Sequence, residues 1–382
     1  MRSAFLIAAA IAVCNTAHAQ WIEDPTIDSV IHEGIRETYN VDFPSAMKSF
    51  QSVVKARPEH PAGYFFIAMV DWWKLLLDID DESHDDSFFE RLDKVIDVCD
   101  ALLDRNESDI AGLFFKGGAI GFRGQLRAIR KSWIGAASDG KEALPVVLKA
   151  AEEAPGNADI DLGTGIYNYY AAVLPDKYPV LKPLMMFLPK GNRQKGILLL
   201  KNAAEKGRYA NWEAMYFLAQ ALSAYENNPS QALLYAQRLH SEFPRNPVFH
   251  RNLGRLYVKL SNLTEAARVF TEVVNRVASG NFGYTMNAER EAVYYIGYDA
   301  LRRKDLGTAM KNFVRCDELS RSLDKNGSSG FMTMANLRLG MAHDLLNQRA
   351  YAVKQYDKVL AMKDYLGAHD LARQYKQSPY SN

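Results

Sequence analysis

Between residues 247 and 274, apolar and small residues recur at helical spacing among polar ones. Leu253, Gly254 and Tyr257 mark one stretch; Ala266 follows Gly254 by twelve residues and Phe270 comes four later. This pattern predicts two antiparallel helices that cross with a small residue on each at the contact. Leu253, Tyr257 and Phe270 then fill the space around the crossing. The interval recurs downstream. Gly297 is followed by Ala309 and Phe313, and Gly340 by Ala352 and Tyr356, so glycines and alanines both step by 43 residues. Upstream, Gly34, Ala46 and Phe50 keep the same internal spacing, and Pro58 closes that unit.

Helix pairs with this signature are the tetratricopeptide motif. The chain therefore predicts an all-α, tetratricopeptide-like α-solenoid of about eight helix-turn-helix units, with a central insertion and a C-terminal capping helix. Residues 20–157 hold the N-terminal repeats, 158–210 a variant central repeat with the insertion, 211–365 the C-terminal repeats, and 366–382 the capping helix and tail. Residues 20–26 read as a loose leader. The helix over 62–78 is apolar nearly all round, which predicts burial on more than one side or the lining of a groove. Gly117, Gly118, Gly121 and Gly124 crowd the first helix of the third unit. They cost helix stability, so close backbone approach must bring a gain there. The second helix of that unit is expected over 138–154. Residues 178–188, punctuated by prolines, predict a short helix or hairpin insertion.

The N-terminus combines Arg2, an apolar run over 4–13 and Ala17-His18-Ala19. These are the parts of a secretory signal peptide, residues 1–19, cleaved after Ala19, which places the mature protein in the periplasm or outside the cell. Val13 precedes Cys14 where a lipidation signal needs a small residue. No later apolar run approaches the length of a membrane span, so no integral membrane segment is expected in the mature chain. The net charge of +1 gives no whole-molecule field toward nucleic acid or acidic lipid, and no nucleic-acid partner is expected. Cys99 and Cys316 are too few and too far apart for a disulfide framework and read as small buried hydrophobes.

The central segment departs from the plain repeat. It reads Gly163-Thr164-Gly165-Ile166-Tyr167-Asn168-Tyr169-Tyr170, then Leu174-Pro175, a gap, and Gly191-Asn192-Arg193-Gln194-Lys195-Gly196. Over residues 117–247 this resembles a family of exported bacterial tetratricopeptide proteins of undefined function, and is more distantly similar to the inclusion-clearance tetratricopeptide family of eukaryotes. The resemblance implies a helical-repeat fold with a shared central insertion and no enzymatic activity. Gly163 and Gly165 read as helix-packing glycines, because no strand precedes them and no third glycine follows at dinucleotide spacing.

Candidate chemistry is sparse. The stretch 122–133 carries Arg123, Arg127, Arg130 and Lys131 between Phe122 and Trp133. It reads either as a carboxylate-binding site or as a basic face paired with acidic neighbours such as the 78–86 loop. That loop has six carboxylates in nine residues, without the glycine and spacing of an EF-hand, and serves as helix-cap charge or as a cation site. Metalloprotease, nucleophile-elbow, P-loop and CxxC motifs are absent, and the eight histidines are scattered, with His240, His250 and His369 each lacking a partner in helical register. No enzyme, cofactor or metal site is expected. The sequence supports a scaffold that holds a protein or peptide on the concave face of the superhelix. Candidate partner-binding residues are Arg123, Arg127, Arg130, Tyr167, Asn168, Tyr170, Tyr216, Asn252, Arg255 and Tyr295. The alternative is a carrier or sensor of a small apolar or sugar-like ligand, enclosed by the aromatic helices at 64–77 and 166–178 and by the insertion.

Overall fold

A computed structural model describes residues 21–22, 24–178, 182–186 and 188–381. The expected signal peptide lies outside the described residues. The chain is an all-α, tetratricopeptide-like solenoid. Its helix pairs are α1 (Pro25–Tyr39) with α2 (Phe43–Ala56), α3 (Pro61–Leu77) with α4 (Asp85–Leu103), and α5 (Ile110–Ile129) with α6 (Trp133–Glu153). In the fourth unit α7 (Ile160–Lys177) pairs with α9 (Arg193–Lys206), and the short α8 (Lys182–Met185) lies between them in sequence. Then come α10 (Asn211–Ala224) with α11 (Pro229–Glu242), α12 (Pro247–Lys259) with α13 (Leu263–Ala278), and α14 (Met286–Arg302) with α15 (Leu306–Leu323). The eighth pair is α16 (Gly330–Leu345) with α17 (Arg349–Leu360), followed by the cap, α18 (Ala368–Gln377).

The small-residue crossing is real in four units. A Cβ on Gly34, Gly254, Gly297 or Gly340 would lie 2.6, 2.7, 2.9 or 2.5 Å from the ring of Phe50, Phe270, Phe313 or Tyr356. Only glycine lets these helices approach so closely. The turns within units also repeat: Val41, Lys131, Ser261, Lys304 and Asn347 each adopt positive φ two residues past the first helix. Helix starts follow sequence chemistry, with Asp24, Asn228 and Asn246 accepting backbone N–H groups just ahead of helices that begin in proline.

Two segments differ from expectation. The second helix of unit three starts at Trp133, five residues before 138, because Gly135 and Gly140 are carried within the helix. Residues 21–22 are not a loose leader: Trp21 is buried, stacks on Phe114 at 4.2 Å and donates its indole N–H to Asp159 at 2.9 Å. His60 Nε2 meets the Trp21 carbonyl at 2.9 Å, with its Nδ1 accepting the Ala62 N–H. A free indole this large gains more by burial than the chain loses in entropy.

The superhelix turns far enough for unit one to meet units five and six across the interior. Tyr39 donates to Glu213 Oε2 at 2.8 Å, and the Asn246 amide donates to the Tyr39 carbonyl at 2.9 Å. Arg208 and the Tyr209 hydroxyl both reach Asp28. Helix α3 is apolar nearly all round because it packs on α1, α2, α4 and α5 and also touches α12. At this junction Tyr39, Trp73, Tyr216, Phe243 and Phe249 form one aromatic cluster with ring centroids 4.9–6.0 Å apart.

Candidate functional site

Inside this turn lies a cavity of about 630 Å³, walled by the first helices of units one to five and by α6. Its apolar character follows from the residues that those helices turn inward. Helix α5 contributes its glycine row, α6 contributes Ala136, Gly140, Ala143 and Val147, and α7 contributes Ile166, Tyr167, Tyr170 and Leu174. Trp133, Tyr178 and Tyr225 line the side where exposure is greatest, with the Trp133 and Tyr178 rings 6.2 Å apart. Lys177 sits over the Tyr225 ring at 4.2 Å.

The glycine row has two uses. A Cβ on Gly117 would meet Val147 at 2.8 Å, one on Gly118 Phe65 at 3.0 Å, and one on Gly124 Asp139 at 3.0 Å, so these three permit helix contact. At Gly121 on α5 and Gly140 on α6, a Cβ would meet nothing within 4 Å. Both line the cavity. Packing does not require glycine there; what its absence of a side chain preserves is the open volume.

Glu213 is the one carboxyl among the described lining residues. It is buried, with Oε2 taking the Tyr39 hydroxyl at 2.8 Å and the Trp73 indole N–H at 3.3 Å, while Oε1 has no partner. Burial pushes its carboxyl up to about 7, against the lowering effect of the Tyr39, Trp73 and Trp72 side chains around it. The cavity thus presents one carboxyl that is half protonated near neutrality, in an otherwise uncharged wall. Burial also raises the Tyr167, Tyr170 and Tyr225 hydroxyls.

The residues nominated from sequence fall into three places. Tyr167 and Tyr170 line the cavity; the Tyr167 hydroxyl donates to the Pro189 carbonyl, and Tyr170 packs edge-on to Tyr169 and Tyr225. Asn168, between them, donates to the Thr164 carbonyl at 2.8 Å, and Tyr216 is taken up by the aromatic cluster beside Trp73 and Phe249. Asn252 is buried in α12, Arg255 and Arg251 both hold Glu291, and Tyr295 stacks on Phe270 at 5.1 Å. Those two guanidiniums hold the Glu291 carboxyl below its ordinary range although burial works the other way. Arg123, Arg127 and Arg130 lie together and meet acids. Arg123 reaches Asp93, Asp139 and Glu142, and Arg127 reaches Asp139 at 2.7 Å. Arg130 bonds Asp85 with two nitrogens and the Ile79 and Asp81 carbonyls, so it occupies the acidic loop itself.

Sequence reading missed Glu213 and the separate role of Gly121 and Gly140. The signal for Glu213 was a lone acid in the apolar run Ala214 to Leu222 follows. For the glycines no signal distinguishes packing from open space. Cys99 and Cys316 are buried free thiols in different units, and burial pushes Cys316 up to about 12. Among the described residues no helix is long and apolar enough to cross a membrane.

Fold and cavity define an all-α helical-repeat protein of tetratricopeptide type with a partly open apolar cavity. No protein-family model matches the chain, and no curated protein matches it. Among solved structures it is similar to the human IFIT1 dimer with PPP-AAAA, at 14% identity and TM-score 0.43, over 84% of this chain and 69% of that one. The P58(IPK) TPR domain is similar at 13% identity and TM-score 0.28, over 92% of this chain and 89% of that one. Likeness at this level carries no argument about function; the repeat architecture rests on this chain's own helices and crossings.

Proposed function

We propose that this helical-repeat protein carries or senses a small apolar ligand held in the cavity between α5, α6 and α7. The observation that supports this most is an apolar space of about 630 Å³ kept open by two helical glycines. That volume is within the ordinary range for small-molecule sites, roughly 300–1,000 Å³. The ligand's apolar body lies against Ile166, Leu174 and the aromatic rings, and its polar end lies toward the wall that holds the Glu213 carboxyl. A neutral hydroxyl or carbonyl suits that end, since the carboxyl donates when protonated and accepts when ionised. The signal-peptide reading makes this an extracytoplasmic carrier of the bacterial envelope. Equilibrium binding of a solvatochromic apolar dye tests the proposal. Saturable binding near one dye per chain, abolished in Gly121→Phe/Gly140→Phe, supports it; equal binding by both proteins refutes it.

A second reading, a scaffold for a protein or peptide, draws on the concave side of the C-terminal units. Arg338 on α16 lies over the Tyr298 ring at 4.1 Å and donates to the Tyr294 hydroxyl. A guanidinium held flat on tyrosines suits a peptide carboxylate. Loss of partner capture in Arg338→Glu, with dye binding intact, would favour this reading.

A further inference from the structure

Helices α11, α12 and α13 bring together three groups that the sequence leaves far apart. His240 on α11 and His250 on α12 stack with ring centroids 4.4 Å apart and planes 23° from parallel. Glu272 on α13 points Oε2 at His250 Nε2, 3.7 Å away. We propose that His240 Nδ1, His250 Nε2 and Glu272 Oε2 bind one borderline divalent transition ion, of which Zn(II) is the type.

Three features carry this. First, one atom from each residue lies within 4.8 Å of the other two. A tetrahedral zinc site with bonds of about 2.0–2.1 Å needs donor atoms roughly 3.3 Å apart, so modest side-chain movement closes it. Second, the two nitrogens are buried and neither makes a well-formed hydrogen bond, the Val269 carbonyl being the one backbone group near the His250 ring, and His250 is 1% exposed. Unpaired buried polar atoms are costly unless something else satisfies them. Third, the atoms behind the donors are already held. The Tyr284 hydroxyl lies 3.0 Å from His250 Nδ1, and Arg268 donates to Glu272 Oε1 at 2.7 Å. With Tyr284 accepting the Nδ1 proton, His250 keeps its Nε2 lone pair for the ion; that is the usual support behind a metal-bound histidine.

Stacked rings aim their lone pairs side by side, so loading must turn one of them. His240 is the ring that turns: it is only partly buried and its Nδ1 has no bond to lose. Two histidines and a carboxylate leave a fourth position for water or another ligand. Arg268 and Arg276 are the nearby cations that oppose the ion, and Glu272 is the anion that offsets them.

The test is titration of tag-free, metal-free protein with Zn(II) by calorimetry, and with Co(II) by visible absorption, which reports coordination geometry. One equivalent should bind, with an intense tetrahedral Co(II) spectrum. Glu272→Gln and His240→Ala sit at exposed or half-buried positions and should keep the fold, checked by circular dichroism; each should weaken binding more than tenfold. Tyr284→Phe should weaken it roughly 10–100-fold, the range for lost support behind a ligand. His369→Ala, in the capping helix, should change nothing. Absence of stoichiometric binding, or binding equal in wild type, Glu272→Gln and His240→Ala, overturns the proposal.

Discussion

Gly121→Ala should stabilise the ligand-free protein, whereas Gly254→Ala should destabilise it, although both glycines sit in the interior of a first helix. The structure sets the signs. A methyl at Gly121 meets nothing within 4 Å, so the substitution keeps only the helix-propensity gain, about 0.5–1 kcal/mol. Gly140→Ala gains about the same, and the two sites lie on different helices, so together they should contribute ~1–2 kcal/mol. At Gly254 the methyl would lie 2.7 Å from the Phe270 ring, and overpacking costs about 1–3 kcal/mol, more than the propensity gain. Thermal melts of delipidated wild type, Gly121→Ala/Gly140→Ala and Gly254→Ala, followed by helical ellipticity, measure the order of stability. The double variant should melt a few degrees higher and Gly254→Ala lower. If the double variant melts lower than wild type, the two positions are packed and the cavity is not open as described.

Glu213 gives a pH dependence whose sign follows from its raised carboxyl. Folded protein holds the proton up to about 7 while the unfolded chain releases it near its ordinary value, so this stabilisation is full below that value and is lost as pH rises through about 7. The loss is of order 3 kcal/mol, and Glu213→Gln should flatten that part of a stability-versus-pH curve from urea melts. Asp139→Ala removes the buried carboxylate that Arg127 and Arg123 share, while Arg123 keeps Asp93 and Glu142, and should cost about 1.5–3 kcal/mol by denaturant unfolding. Trp21→Ala removes a buried indole and should cost about 3–5 kcal/mol, with faster hydrogen exchange at the start of α5 where Phe114 lies.

The repeat units were legible because helix crossing imposes a local rule: a small residue at one height on each helix and a ring beside it. Gly34 with Phe50 and Gly340 with Tyr356 obey it at fixed spacing, and fixed spacing is what a sequence displays. Closure of the superhelix obeys no such rule. Tyr39 meets Glu213 and Asn246 across 174 and 207 residues, a match decided by the accumulated rotation of five units. Trp21 was misread for the same reason, since its partners Phe114 and Asp159 belong to other repeats. The glycine row was visible as a helix-stability cost, but which glycines face empty space depends on how α5 and α6 sit against α7. Likewise His240 and His250 have no partner in helical register because their neighbour lies on the adjoining helix, and Glu272 on a third.

Native mass spectrometry of protein purified without detergent decides whether the cavity holds a ligand. Wild type should show a population carrying one extra mass of about a few hundred daltons, the size such a cavity accommodates. Gly121→Phe/Gly140→Phe, folded to the same helical content, should carry none. Wild type that appears only as the bare chain, and stays bare after incubation with apolar lipids and sterols, would contradict a ligand-holding cavity.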